Sequence, residues 1–334
     1  MVGEKETQGE VRRKSTLSTA IANWSFPSID FSKPVQSRAL LKAVNFLCKI
    51  FGKRLPIRFF SYDSTTFDAS VLTHLPDVQW LKVDCLQAIS NSERIFELSK
   101  LKKFSFGVYN YDNPNFLHQL NLSKLEQLSI SETKKRNFDL SPLCKGKQIR
   151  SLFVEGHTKN IEAVGELKNL ETLRLWSIDQ KTSLEFVSNI SKLNSLEVVL
   201  GGRQNIDEIS LPFLRSMRIV MVRGFNTLGD LSRFPRLKIL RIENQIKLQS
   251  ITFQTSGLTK LSVINCKSLK ALIGLEYLQK IKRVHFAQTS LDYEALSEFS
   301  WSKSLKVLSL YSGKEKRDIA LRMRLKSKGY KFDW

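Results

Sequence analysis

One spacing constrains this chain more than any other feature. An apolar residue, two free positions, an apolar residue, one free position and a third apolar residue recur twelve times, at intervals of 21–24 residues. The series opens with Ile57/Phe60/Tyr62 and Val78/Leu81/Val83, and runs through Leu170/Leu173/Leu175 and Leu237/Leu240/Ile242. It closes with Leu305/Leu308/Leu310. All of these positions are apolar in a chain that is only 42% apolar, which chance placement does not produce. The last two residues of each triplet lie two apart, so both point to one side of a short strand. About fifteen residues then return the chain to the next strand, too few for a long crossover helix. Such units bury their apolar sides only against one another, so the spacing predicts a solenoid of stacked parallel strands.

The unit resembles the leucine-rich repeat family, whose consensus reads L-x-x-L-x-L-x-x-N/C-x-L. The fullest match is Leu258-Thr-Lys-Leu261-Ser-Val263-Ile-Asn-Cys266-Lys-Ser-Leu269. The resemblance implies an α/β horseshoe with about twelve short parallel strands on the concave face. It also implies mixed 3-10, short-helix and loop returns on the convex face. No residue at the consensus Asn position is Asn; among its occupants are Thr133, His157, Ile178, Val222, Gln245 and Cys266. In the family that Asn joins neighbouring backbones, and buried backbone groups need partners. Irregular loops and uneven curvature are therefore expected here.

The domain organisation read from the sequence is a flexible polar arm (1–33), an N-terminal cap helix (34–54), the solenoid (55–312) and a C-terminal cap (313–334). Leu40, Leu41, Val44, Leu47, Cys48 and Phe51 share one helical face, suited to capping the first repeat or to lying on a membrane surface. At the other end a short helix over Asp318–Lys328 precedes a final Tyr330–Trp334 strand. Ser92–Leu98, Asn160–Leu167, Thr182–Ile190 and Tyr293–Phe299 have helical spacing within the returns. The apolar island Trp24–Phe31 interrupts the arm and suits either a docking peptide or a segment folded back on the cap. Four cysteines without C-x-x-C spacing, and no apolar stretch of spanning length, point to a reduced cytoplasmic protein.

Composition narrows function by exclusion. The histidines are scattered over distant repeats, and no metalloprotease, nucleophile-elbow, phosphate-loop or dinucleotide motif occurs. No catalytic residue, cofactor, metal or small-molecule substrate is expected. The net charge is +21. Its cations gather where strands begin, notably Lys100, Lys124, Lys192, Arg236 and Lys280, and stacking would align them along one rim. If side chains alternate, one outward row runs from Ser61 and Lys82 to His285 and Ser309, and the next from Asp63 and Asp84 to Tyr311. The ends of both rows are small and polar. Their centre holds Phe153, Arg174, Trp176, Glu197, Arg218, Arg241 and Glu243, the aromatic and Arg types that dominate binding energy in interfaces. Alternatively, the same charges ladder among themselves across neighbouring strands. The favoured reading is a non-catalytic scaffold that engages another protein, an acidic one suiting its charge, through the concave centre. The rivals are an RNA- or anionic-membrane-binding rim, and a toxin-neutralising immunity-type inhibitor.

Overall fold

The computed structural model describes residues 27–33, 37–134, 138–254 and 257–332. Thirteen strands form one parallel sheet in which each neighbour is the next unit along the chain. Leu128, Leu152, Leu173, Leu196, Met217, Leu240, Leu261, Val284 and Leu308 form a single hydrogen-bonded row. Ile130, Val154, Leu175, Val198, Ile219, Ile242, Val263, Phe286 and Leu310 form a second row beside it. Both rows are buried in one continuous core. The triplet thus acts as expected: its strand positions face inward, and slippage by one residue would turn them all outward.

The first unit departs from the sequence reading. Ile57 pairs with Leu81 and Phe59 with Val83, so the inward pair is Ile57/Phe59 rather than Phe60/Tyr62. Tyr62 is 89% exposed, whereas Ile57 and Phe59 are buried. The segment Ile57-Arg-Phe59-Phe60-Ser-Tyr62 offers two overlapping apolar alternations, and the pairing with Trp80–Leu86 selects the earlier one. Arg58, not Ser61, consequently takes the first unit's place in the outward row beside Lys82, bonding Asp84 at 2.6 Å. A thirteenth strand, Ile29–Phe31, lies where a polar arm was expected and pairs with Ile57–Phe59. Phe31 stacks on Phe59 at 5.0 Å. The island's Trp24 and Phe26 lie outside the described residues.

The returns carry 3-10 turns at Ser92–Ile95, Ile161–Glu166 and Glu185–Asn189, and an α-helix at Tyr293–Glu298. Asp292 caps that helix by accepting from the Ala295 amide at 3.0 Å. Two pairs of short strands, Thr66–Asp68 with Ala88–Ser90 and Ser250–Thr252 with Ala271–Ile273, replace helical turns elsewhere. Helix Arg38–Phe51 covers the first repeats with Leu41, Val44 and Cys48 buried, and Ser37 accepts from the Leu40 amide at its N-terminus. Burial pushes the Cys48 thiol up to about 11, as it does that of Cys266.

Without an Asn ladder the chain leaves each strand by another device. Ser177, Leu200, Met221, Asn244, Asn265 and Gln288 occupy equivalent positions after their strands, and all have φ between 51° and 61°. Gly156 takes the same place with φ 75°. Each amide of this series donates to the carbonyl ending the next strand: Ser177 to Val199 at 2.9 Å, Met221 to Glu243 at 3.0 Å, Asn265 to Ala287 at 2.8 Å. The left-handed turn therefore prolongs the parallel ladder by one bond, although such a conformation costs a non-glycine residue roughly 1–2 kcal/mol. At the consensus Asn position, Gln245 Nε2 donates to Ile219 O at 3.3 Å and Glu243 O at 2.7 Å, spanning two repeats. Buried His157 lies 3.1 Å from Ser131 O through Nε2 and accepts from the Phe138 amide at Nδ1. It also stacks on Phe138 at 4.4 Å, extending a row of rings through Phe116 and Phe106. Irregularity is concentrated between Trp80–Leu86 and Lys103–Val108. There the pairing shifts between Val83/Phe106 and Leu86/Val108, three residues against two.

Helix Glu315–Ser327 closes the other end, burying Leu321 and Leu325, while Ile319 and Met323 stay exposed. Its buried Asp318 accepts from the Ser312 amide at 2.7 Å, the Ser312 hydroxyl at 2.6 Å and the Gly313 amide at 3.0 Å. Lys331 then bridges to Val307.

Two stability measurements follow from this geometry. Asp318→Ala strands three donors at the C-terminal cap and is expected to lower unfolding free energy by about 2 kcal/mol in urea titration. Met221→Gly, at a 44% exposed side chain, removes left-handed strain but loosens the unfolded chain. Its stability should be unchanged or higher by up to about 1 kcal/mol; a loss would contradict the strain assigned to this position.

Candidate functional site

The outward rows of the sheet bring the predicted patch together. Phe153, Arg174, Glu197, Arg218 and Arg241 pair in succession along five strands, Ser151–Glu155 to Ile239–Glu243. The adjacent row places Glu155, Trp176, Val199, Val220 and Glu243 in register. A β-strand supplies this placement because its alternation sends Leu173 and Leu175 inward and Arg174 and Trp176 outward. The flanks of the first row are Ser105 and Ser129 on one side, and Ser262, His285 and Ser309 on the other.

These side chains form one connected network. The Phe153 and Trp176 rings meet edge to face at 5.2 Å, and the Arg174 guanidinium lies over Phe153 at 5.7 Å. The Trp176 indole N–H donates to Glu197 Oε1 at 2.8 Å. Arg218 bridges two carboxylates, Nη1 to Glu197 Oε2 at 3.0 Å and Nε to Glu243 Oε1 at 3.1 Å. Arg241 Nε also donates to Glu243. Arg218 and Arg241 are like charges directly opposite each other, an arrangement that destabilises a sheet when uncompensated. Glu243 compensates both. The sequence reading of this region as an internal ladder of charges thus describes its geometry, and the aromatics are half-buried within it.

Burial opposes ionisation of Glu243, but hydrogen bonds from Arg241 and Arg218 outweigh it and hold the carboxyl below its ordinary value. Burial likewise works against the Arg218 charge, and its bonds to Glu243 and Glu197 raise its pKa nonetheless. Arg174 Nε is buried without a hydrogen-bond partner among the described residues. Arg218 and Arg241 side chains remain 40% and 44% exposed, while Glu197 and Glu243 are 15% and 13% exposed. The network therefore presents guanidinium edges and aromatic rims, with its carboxylates recessed between them.

The predicted rim residues fall into one positional row, each immediately before the first apolar residue of its repeat. Their surroundings differ. Lys100 pairs with Asp77, Lys124 Nζ donates to Ser99 O at 3.3 Å, and Lys192 Nζ to Asn169 Oδ1 at 2.7 Å. Arg236 lies over the Phe213 ring at 4.7 Å. Arg236 and Lys280 line one cleft, which the other three do not touch. Sequence reasoning gathered cations into the rim but passed over Glu126 and Glu171, which neutralise part of it through Lys53 and Arg150, each at 2.6 Å. Among the described residues no group of three or more His, Cys, Asp or Glu is placed to hold a metal. None of the helices there is long and apolar enough to cross a membrane.

The Glu243 network carries a pH signature. A carboxyl whose folded pKa is depressed stabilises the fold above its unfolded value of 4.5, and loses that contribution as pH falls through the folded value. Glu243→Gln is thus expected to destabilise the protein at pH 7, with the gap to the parent chain closing as pH falls below about 4. Urea midpoints across pH would show it, and a gap constant with pH would contradict it.

No protein-family model matches the chain, and no curated protein does. Solved structures similar to it include an internalin from Listeria monocytogenes, 18% identical with a TM-score of 0.47, covering 88% of this chain and 76% of that one. A leucine-rich repeat protein from Leptospira interrogans is 14% identical with a TM-score of 0.44, covering 92% of this chain and 89% of that one. The one-strand-per-repeat parallel sheet, its two apolar rows and its short 3-10 and helical returns give this chain the fold of a leucine-rich repeat solenoid.

Proposed function

We propose that the chain is a non-catalytic scaffold that binds another protein through the sheet face centred on Trp176 and Arg218. One observation carries this reading. Over five consecutive strands the first outward row and the ends of the second hold aromatic rings, guanidinium groups and recessed carboxylates around buried Val199 and Val220, whereas the flanks of the first row are mostly serine. Trp and Arg in fixed, partly desolvated positions are the side chains that contribute most to protein interfaces. Their internal bonding supports the reading too, because side chains already held in place lose little freedom on binding. Its three arginines are balanced by Glu155, Glu197 and Glu243, but Arg218 and Arg241 stand out past the recessed Glu197 and Glu243, which suits an acidic partner surface. The chain's net charge of +21 favours fast encounter with one. An immunity-type inhibitor that blocks a toxin is one role compatible with such a surface.

The test is affinity purification from the native cell with the parent chain and three variants. Trp176→Ala and Arg218→Ala are each expected to weaken a specific partner by about 2 kcal/mol, roughly thirtyfold in affinity. Met323→Ser, on the far exposed side of the C-terminal helix, should recover the same partner fully. Equal recovery with all variants would remove the patch as the binding surface.

A further inference from the structure

The rim is not uniform along the sheet. One ladder row of residues, just before the strands, can be followed by backbone hydrogen bonds from each amide to the preceding carbonyl. It reads Lys102, Glu126, Arg150, Glu171, Asn194, Arg215, Lys238, Thr259, Lys282, Lys306 and Lys331. In its first half the signs alternate, and Glu126 and Glu171 hold Lys53 and Arg150 in ion pairs. In its second half every charged member is a cation.

A cleft of about 530 Å3 opens in that second half. Arg215, Arg236, Lys238, Lys280 and Lys282 line it, and no carboxylate does. None of the five is ion-paired with a carboxylate among the described residues. The notch has a cause in the repeat. Where flanking units present Arg236 with Lys238 and Lys280 with Lys282, the unit between them presents Gly257 and Thr259. Those flanking units are two strands apart, roughly 10 Å, so four cations face one another across two small residues. At physiological salt the screening length is also about 8–10 Å, so their mutual repulsion is only partly screened. A concavity lined by one sign of charge focuses its field on whatever enters.

We propose that this cleft is a binding site for a compact anion carrying two or more clustered phosphates, free or as a lipid headgroup. Five cations in so small a volume call for several negative charges close together. Phosphate oxygens accept from the Arg forks and the Lys ammonium groups at once, and the cations carry the binding because the Thr259 and Ser304 hydroxyls already donate to Lys238 O at 3.1 Å and Ile281 O at 2.7 Å. A nucleic acid strand would need charge along a longer track, and the first half of the row alternates in sign. The site is separate from the patch around Trp176 and stands independently of the role proposed for it.

Isothermal titration of the full chain with inorganic tripolyphosphate is expected to show saturable binding. The variant Lys238→Glu/Lys280→Glu should weaken it about tenfold or more, since each cation removed takes a charge-assisted bond with it. Thr259→Glu, which keeps all five cations but puts a carboxylate in the notch, should weaken it similarly. Lys100→Glu/Lys124→Glu, on the neutralised half, should leave it within about twofold. Thermal melts of each variant separate lost binding from lost fold. A second arm uses phosphatidylcholine vesicles with and without phosphatidylinositol bisphosphate. Cleft-dependent vesicle binding without tripolyphosphate binding assigns the phosphates to a headgroup; tripolyphosphate binding alone assigns them to a free anion. Binding in neither arm overturns the proposal. So does binding, of these probes or of single-stranded RNA, that both Lys→Glu pairs weaken equally.

Discussion

The parallel hydrogen-bond ladder, held in one register from strand to strand, is the constraint on which everything else rests. Each unit is too short to bury its own apolar side chains, so it is stable only against its neighbours. Register does the rest. Once Leu173 sits beside Leu152 and Leu196, the residues between the apolar positions are aligned as well, whatever their chemistry. Core and surface are thereby set by one set of bonds, and a charge such as Arg218 acquires its neighbours without any sequence proximity to them.

The ladder has to be left at the end of every strand, and this chain leaves it at the cost of strain. Six non-glycine residues adopt left-handed conformations so that one more amide can reach the next repeat. That solution explains why the consensus Asn is dispensable here. Its position is filled by Ile178 and Val222 as readily as by His157 or Gln245, because the adjoining left-handed residue has already joined neighbouring repeats. The irregularity expected from the missing Asn is confined mainly to the Val83–Leu86 bulge.

Two surfaces of different character result. On the sheet face, charges of both signs interlock around Glu243 and fix the rings and guanidinium groups in place. Along the rim, charges balance in the first half and fail to balance in the second. The difference arises from single residues at repeating positions: Glu126 and Glu171 among the early units, Gly257 and Thr259 among the late ones. A solenoid allows such local differences because each repeat contacts only its neighbours, so one surface position changes without disturbing the stack.

The apolar triplets were legible in the sequence because burial demands the same residue type at every turn. So was the company of Phe153, Arg174, Trp176, Glu197, Arg218, Arg241 and Glu243, which follows from spacing alone. The first unit was misread because Ile57, Phe59, Phe60 and Tyr62 satisfy two alternations at once, and only pairing with Val83 chooses between them. Ile29–Phe31 was missed because a three-residue edge strand carries too few residues to show a period. Within the patch, periodicity could place Glu197 and Glu243 near arginines but not say which oxygen meets which nitrogen. Along the rim it could count cations but not their partners, because Asp77 and Lys100 belong to different repeats. The sequence by itself determined the repeat, the core and the order of residues across the sheet, since those depend only on polarity and spacing. Tertiary structure alone decided which charges are neutralised and which are left facing a cleft, since that depends on contacts between side chains some twenty residues or more apart.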